Sequence, residues 1–292
     1  MSTILSYKIH TVTPYINWIY FFHAWGFQPR YAAIANIHGC DACRAMWLAS
    51  FPVEERNKAS EAMQLFKEAN RMLDVLDRDY EVRTIFKLCK ANSDGDNLVI
   101  EKAENQFMVF PLLRQQTPSD FIRPLSSGIP DTLGAFASSI DADMEGLYEQ
   151  DPYKHLLVQT LSDRLAEAAT EKMHEYVRKE AWGYAKDENL GMADLLVEKY
   201  QGIRPAVGYP SLPDQSVNFL LDELLDMKQI GILLTENGAM YPHASVCGLM
   251  FAHPVSEYFS VGKIGEDQLE DYARRRRRSI EEMRKFLAAN LQ

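Results

Sequence analysis

Between charged faces, apolar residues recur at Ala62, Leu65, Phe66, Ala69, Met72, Leu73 and Leu76. That three-to-four spacing gives a helix one apolar stripe and predicts a helix over 53–80. The pattern then shortens. The runs 82–92, 96–101, 106–116 and 132–139 are rich in β-branched and aromatic residues and are separated by turn clusters such as Asn-Ser-Asp-Gly-Asp, which predicts antiparallel hairpins. Helical spacing returns at Leu157, Leu161, Leu165, Ala168, Tyr176 and Val177, a long amphipathic helix over 151–182. Shorter helices are expected over 192–200 and 217–227, strand-like segments over 232–237, 244–251 and 257–264, and two helices at the C-terminal end. The last of these opens on Ser279 with Glu282 three residues on, a capping box. Residues 16–27, Ile-Asn-Trp-Ile-Tyr-Phe-Phe-His-Ala-Trp-Gly-Phe, fit neither period and read as buried.

No repeat, linker or low-complexity tract divides these elements. A strand block with segregated helices argues α+β rather than alternating βαβ. Residues 1–292 are therefore read as a single domain, with 1–50 as its aromatic-rich N-terminal segment.

Composition narrows the possibilities. An apolar fraction of 47% over 292 residues suffices for a full core. The 31 basic against 41 acidic side chains leave a charge of -10, which repels nucleic acid and anionic lipid. No secretory signal pattern or membrane-length apolar run is present, so a cytoplasmic protein without nucleic-acid or membrane partners is expected.

Familiar catalytic signatures are absent: no G-x-G-x-x-G, P-loop or G-x-S-x-G stretch occurs. His174-Glu175 lacks a second histidine at metalloprotease spacing, and His174 reads as a surface or capped side chain. His38-Gly39-Cys40-Asp41-Ala42-Cys43 has the C-x-x-C spacing that can chelate a metal or cycle as a dithiol. A tetrahedral site needs a fourth ligand and no second pair follows, so these residues read as structural and no metal site is expected. Cys89 and Cys247 read as core.

The most informative segment is Arg204-Pro205-Ala206-Val207-Gly208-Tyr209-Pro210, continuing Ser211-Leu212-Pro213-Asp214. Three prolines fix φ and leave a stiff loop with little entropy to lose on binding. Ala206, Val207 and Tyr209 keep backbone donors able to read a purine edge, and Gly208 admits close approach of a flat ligand. Arg204 offers a planar fork for a carboxylate. A rigid structural loop is the competing reading.

This loop stands among many collinear stretches, including INWIYFF, LFKEANRML, FPLLRQQT, DRLAEAATEKMHEYVRK, WGYAKDENL, YQGIRPAVGYP, LTENGAMYPHASVCG, HPVSEYFSVGKI and QLEDYARR. From about residue 15 to its end the chain resembles the S-adenosylmethionine-binding reactivation domain of cobalamin-dependent methionine synthase. The resemblance implies a C-shaped α+β domain built on a twisted antiparallel sheet with flanking helices, and S-adenosylmethionine held in a shallow groove. It implies that Arg204 takes the methionine carboxylate, that backbone groups of Ala206, Gly208 and Tyr209 contact the adenine, and that Glu167 and Tyr258 line the site.

Two positions depart from the family pattern. Phe259 stands where a second tyrosine is usual, and Asn17 stands where an aspartate usually meets the ligand's ammonium. An amide oxygen still accepts a hydrogen bond but lacks the charge, a difference of about 1–2 kcal/mol. A neighbouring carboxylate is one way to compensate. Asp163, four residues before Glu167 and so on the same helical face, matches a family residue that receives the cobalamin module's histidine, and is expected to be a partner-docking residue. The run Arg274–Arg278 reads as the exposed basic end of a helix, with recruitment of an acidic flavodoxin-like electron donor as the alternative. His243 reads as loop filling.

The resemblance implies that the domain presents the methyl group of S-adenosylmethionine to cobalamin when the cobalt has oxidised, so that no side chain here is a catalytic nucleophile. The D-x-H-x-x-G stretch of the family's cobalamin module is missing. Cobalamin is therefore expected on a partner chain, with this chain reactivating methionine synthase in trans as a component rather than a complete enzyme. The alternatives are a regulatory module that senses S-adenosylmethionine, and reactivation of another corrinoid methyltransferase.

Overall fold

The computed structural model describes residues 1–113 and 118–292; the end of the expected strand over 106–116 lies outside the described residues. Its centre is β2 (Glu81–Asp94), a 14-residue strand. One edge of β2 pairs antiparallel over nearly its whole length with β5 (Asp131–Ile140). The other edge is shared: β1 (Thr3–Lys8) pairs along its first half, and β3 (Asn97–Ala103) along its end. Outside β3 lies β4 (Gln106–Pro111), and outside β5 lies β8 (Ser245–Met250), so the order is β4-β3-β2-β5-β8 with β1 beside β2. No hydrophobic period marks β1. The hexapeptide TILSYK is short and mostly exposed, and β2 supplies its pairing.

Alternation along the sheet sends side chains to two helical layers. Phe86, Phe136 and Met250 pack with Met173 and Val177 of α5 (Pro152–Tyr176), which continues as a π-helical turn over Val177–Ala181. Ile85, Ala135, Ala137, Cys247 and Leu249 pack on the opposite face against α7 (Val217–Leu225). A third body forms at the N-terminal side, from α1 (Ile9–Val12), α2 (Trp18–Ala24), α3 (Asp41–Ala49) and α4 (Arg56–Asp79). Phe21, Phe22, Phe27 and Trp47 interlock there with the stripe of α4 and the first half of α5. The aperiodic aromatic segment is thus α2 and its flanks. Trp18 meets Phe66 edge-on at 4.7 Å between ring centroids.

The remaining helices are short. The helix expected over 192–200 is one turn, α6 (Met192–Leu195). The C-terminal pair is α8 (Glu266–Arg276) and α9 (Ile280–Phe286), and Ser279 caps α9 by accepting from the Glu282 N–H at 3.1 Å. The two-stranded ribbon β6 (Leu233–Leu234) and β7 (Met240–Tyr241) replaces the strand expected over 232–237. Residues 257–263 form no strand; they run beside the proline-rich loop, joined by the Val261 N–H donating to the Pro210 carbonyl at 2.9 Å. No helix among the described residues is long and apolar enough to cross a membrane.

The basic run is not the exposed helix end the sequence suggested. Arg275 turns inward to the Asp96 and Leu112 carbonyls and to Asp271. Arg276, whose side chain is 3% exposed, reaches Ser216 and Asp214. Arg278 pairs with Glu282. Only Arg274 and Arg277 are exposed, because α8 packs its last turn against the domain instead of ending in solvent.

Candidate functional site

Three elements bring the functional residues together. The first is the proline-rich loop, which lies along the outer edge of β8 through isolated bridges Ile203–Phe251 and Ala206–Gly248. Gly248 makes this approach possible, since a Cβ there would stand 2.2 Å from the Pro205 carbonyl oxygen. The loop reverses at Gly208, where φ is +88° and the space a side chain would fill is open. The second is the face of α5 carrying Glu167, Thr170 and Glu171. The third is the start of α2, with Asn17 and Tyr20. Together with 195–198 and 258–260 they enclose a groove of about 710 Å³, within the range that holds small-molecule ligands.

Of the residues expected at the site, Arg204, Ala206, Tyr209, Glu167, Tyr258 and Asn17 all line this groove, as does Phe259. Gly208 does not line it but shapes the turn beside it. Asp163 stands outside the groove, solvent-exposed one turn before Glu167 on α5. Its carboxyl pKa is raised, first by the protein packed around it and further by Glu167 and Glu145, against the lowering effect of Arg164.

The wall behind the groove is a polar network. Arg204 Nη2 donates to Glu171 Oε2 in a short, largely buried ion pair. Burial alone would lower the guanidinium pKa, but the Glu171 carboxylate holds it well above the usual range. The Arg204 backbone N–H donates to Tyr258 Oη at 2.9 Å, and that hydroxyl meets Tyr200 Oη at 3.2 Å. Glu167 is clamped from two sides, accepting from Tyr209 Oη and from Arg164 Nη1, each at 2.9 Å. Burial, reinforced by the Glu167 charge, pushes the Tyr209 hydroxyl up to about 12, so it stays a donor at neutral pH.

Two atoms in this wall are orphans. Glu171 Oε1, an acceptor, and Arg204 Nε, a donor, are buried with no hydrogen-bond partner among the described residues, and both residues line the groove. Leaving such groups unpaired costs about 1–3 kcal/mol each. A ligand carrying an ammonium and a carboxylate side by side matches this pair in charge and in hydrogen-bonding sense.

Three expectations change. The Val207, Gly208 and Tyr209 N–H groups are spent inside the protein, on Cys247, Leu212 and Ala206 carbonyls. Of the loop donors expected to face a purine, only the Ala206 N–H has no partner among the described residues. The Asn17 amide oxygen is also engaged, capping α2 by accepting from the Ile19 N–H at 3.1 Å. His174 is fully buried rather than on the surface, its Nδ1 2.9 Å from Arg178 Nη1. Burial first, and then the Arg178 and Arg204 charges, hold its pKa well below 6.5, so it is a neutral imidazole behind the site.

Sequence reasoning missed Glu171, Arg164, Glu198 and Tyr200. The signal for Glu171 was present: it extends the Asp163, Glu167 series by four more residues along one helical face.

Residues 8–277 match the family model described as vitamin B12 dependent methionine synthase, activation domain. Among solved structures, the chain is similar to the crystal structure of the MetH reactivation domain bound to AdoHcy. The two are 38% identical, the match covers 100% of this chain and 90% of that one, and the TM-score is 0.85.

Proposed function

Because the chain belongs to the family of vitamin B12 dependent methionine synthase activation domains, we propose that its groove binds S-adenosylmethionine and presents it for the reductive methylation that restores methionine synthase. The orphaned pair Glu171 Oε1 and Arg204 Nε carries this reading. An α-amino acid end has the matching groups, an ammonium for Glu171 and a carboxylate for Arg204, and each charge-assisted bond contributes about 1.5–3 kcal/mol. Glu171 thereby supplies the negative charge that Asn17 lacks. The Ala206 N–H, next to Pro205 and with Tyr209 across the loop, is a donor for the edge of the purine, and Tyr258 holds the base of the loop through the Arg204 N–H.

When bound, S-adenosylmethionine supplies an activated methyl group, and the cobalamin module supplies the cobalt centre that accepts it. The residues of this chain hold and orient: a pre-stiffened loop, a clamped Glu167 and a dry ion pair fix the ligand's direction without taking part in bond making. Asp163, at the groove's outer rim beside Glu145 and His243, is the docking residue for the incoming module. The strand β1 in the central sheet, and the packing of α4 on α5, support treating 1–292 as one folding unit. The exposed basic surface left at Arg274 and Arg277 is small, so an acidic electron donor has little to grip on that helix.

Calorimetric titration of S-adenosylmethionine tests the groove. Wild type binds, and Arg204→Ala loses about 1.5–3 kcal/mol, roughly tenfold to a hundredfold in affinity. Methyl transfer from labelled S-adenosylmethionine to a cobalamin-binding methionine synthase module, added as a separate chain with a reductant, tests the activity. Absence of binding in the wild type would sink the reading. Binding without transfer would leave a sensor of S-adenosylmethionine.

A further inference from the structure

Away from the groove, His38, Cys40 and Cys43 converge at the start of α3. One imidazole nitrogen and the two Sγ atoms lie within 4.8 Å of one another. We propose that these three side chains form a binding site for a soft divalent metal ion of the Zn²⁺ class, with water in the fourth tetrahedral position.

Three observations carry it. The donor set is selective: two thiolates and an imidazole suit Zn²⁺ and disfavour Mg²⁺ or Ca²⁺, and two thiolate charges neutralise a divalent ion. The geometry is nearly closed. Bonds of about 2.3 Å to sulfur and 2.0–2.1 Å to nitrogen put tetrahedral ligand atoms about 3.6–3.8 Å apart, so the three side chains need to draw together by only about 1 Å, and none is locked in the core.

The frame is also rigid. Cys40 is the N-cap of α3, and its Sγ accepts the Cys43 N–H at 3.2 Å, the kind of backbone hydrogen bond that stabilises a ligating thiolate. Behind it, Trp47 of α3 meets Phe51 at 4.9 Å, and Phe51 stacks on Tyr31 at 5.2 Å. His38 and Gly39 lead directly into the Cys40 N-cap and Asp41–Cys43 open α3, so closing the chelate ring over six consecutive residues orders little chain. A dithiol that only cycles to a disulfide needs two sulfurs; the third convergent group, His38, is what a metal requires.

Cobalt(II) titration of the reduced full chain, followed by absorbance, reads the site. The expected result is one equivalent bound, with a thiolate-to-cobalt charge-transfer band and d–d bands of tetrahedral intensity, displaced by Zn²⁺. Zinc should also protect Cys40 and Cys43 from alkylation. In Cys40→Ser/Cys43→Ser the affinity falls by more than about a hundredfold, beyond what losing an outer-shell partner costs. His38→Ala keeps the thiolate band but binds more weakly. The proposal is overturned if verified free thiols give no band, if the double variant binds as the wild type does, or if His38→Ala changes nothing. S-adenosylmethionine titration of the double variant checks that it is folded.

Discussion

The two halves of α5 are built on opposite plans. From its start through Ala169 it buries Leu157, Val158, Leu161, Leu165, Ala168 and Ala169 against the aromatic N-terminal body. Beyond Ala169 the helix and the turn that follows bury the polar Thr170, Glu171, His174 and Arg178 alongside Met173 and Val177. Thr170 Oγ1 reaches Ser138 of β5 at 2.8 Å, Glu171 pairs with Arg204, and Arg178, 0% exposed, pairs with Glu188 at 2.6 Å. An apolar contact loses its transfer energy and leaves a cavity when trimmed. A buried ion pair contributes little net stability while intact, yet fails badly when halved, because the survivor is a charge without solvent. One helix therefore anchors the fold at one end and poises charges beside the groove at the other.

The largest predicted effect exposes this difference. Arg178→Met strands Glu188, only 7% exposed, and removes the partner of His174 Nδ1. A loss of about 3–5 kcal/mol is expected in urea denaturation. Leu161→Ala in the apolar half costs a comparable 2–5 kcal/mol. The two separate on second substitution: adding Glu188→Leu to Arg178→Met should recover most of the loss, since an apolar pair of similar volume replaces a buried ion pair at little cost. If the double variant is as unstable as the single one, the polar end is held by packing like the other end, and the contrast fails.

Next comes pH. The folded state holds His174 neutral, its pKa well below 6.5, while the unfolded chain takes up a proton near 6.5. Below that pH the unfolded state binds one more proton, so the stability His174 confers is complete above about 6.5 and falls as pH drops. The slope is about 1.4 kcal/mol per unit for this one group. Subtracting the profile of His174→Gln from that of the wild type isolates it, and Leu161→Ala should keep the slope in full. Superimposable profiles for the wild type and His174→Gln would mean that the imidazole titrates alike in the folded and unfolded chain.

The legibility of the two ends in sequence follows the same division. Where burial is apolar, periodicity announces it: α4, α5 and the β2–β5 block were readable because every third, fourth or second residue is apolar. Where burial is polar, the same residues imitate a surface. In sequence His174 reads as a surface or capped side chain and Arg275 and Arg276 as a solvated helix end, because a polar side chain carries no mark of the partner that will bury it. The site loop was visible through its prolines and its resemblance, but which of its N–H groups stay free depended on the edge of β8 and on Gly248, a contact made 40 residues away. β1 is too short for any period to register, and the helix expected over 192–200 shrinks to the single turn of α6.

The smallest effect concerns Asn17, which lines the groove at the start of α2. Its side chain does two things at once: it caps α2 through the Ile19 N–H, and it lines the groove. Aspartate caps a helix as well as asparagine does, to within a few tenths of a kcal/mol, so Asn17→Asp should leave the unfolding midpoint nearly unchanged. It adds a carboxylate near the position proposed for the ligand's ammonium. Because Glu171 is proposed to meet that group, the gain should be below that of a lone ionic contact, about 1 kcal/mol or a factor of about five in S-adenosylmethionine affinity by calorimetry. Asn17→Ala separates the roles, losing about 0.5–2 kcal/mol of helix capping while leaving Glu171 in place. An unchanged affinity in Asn17→Asp, with the cap intact, would mean that the ligand's charged end lies wholly on the α5 side. The groove would then draw its charge recognition from the polar half of that helix alone.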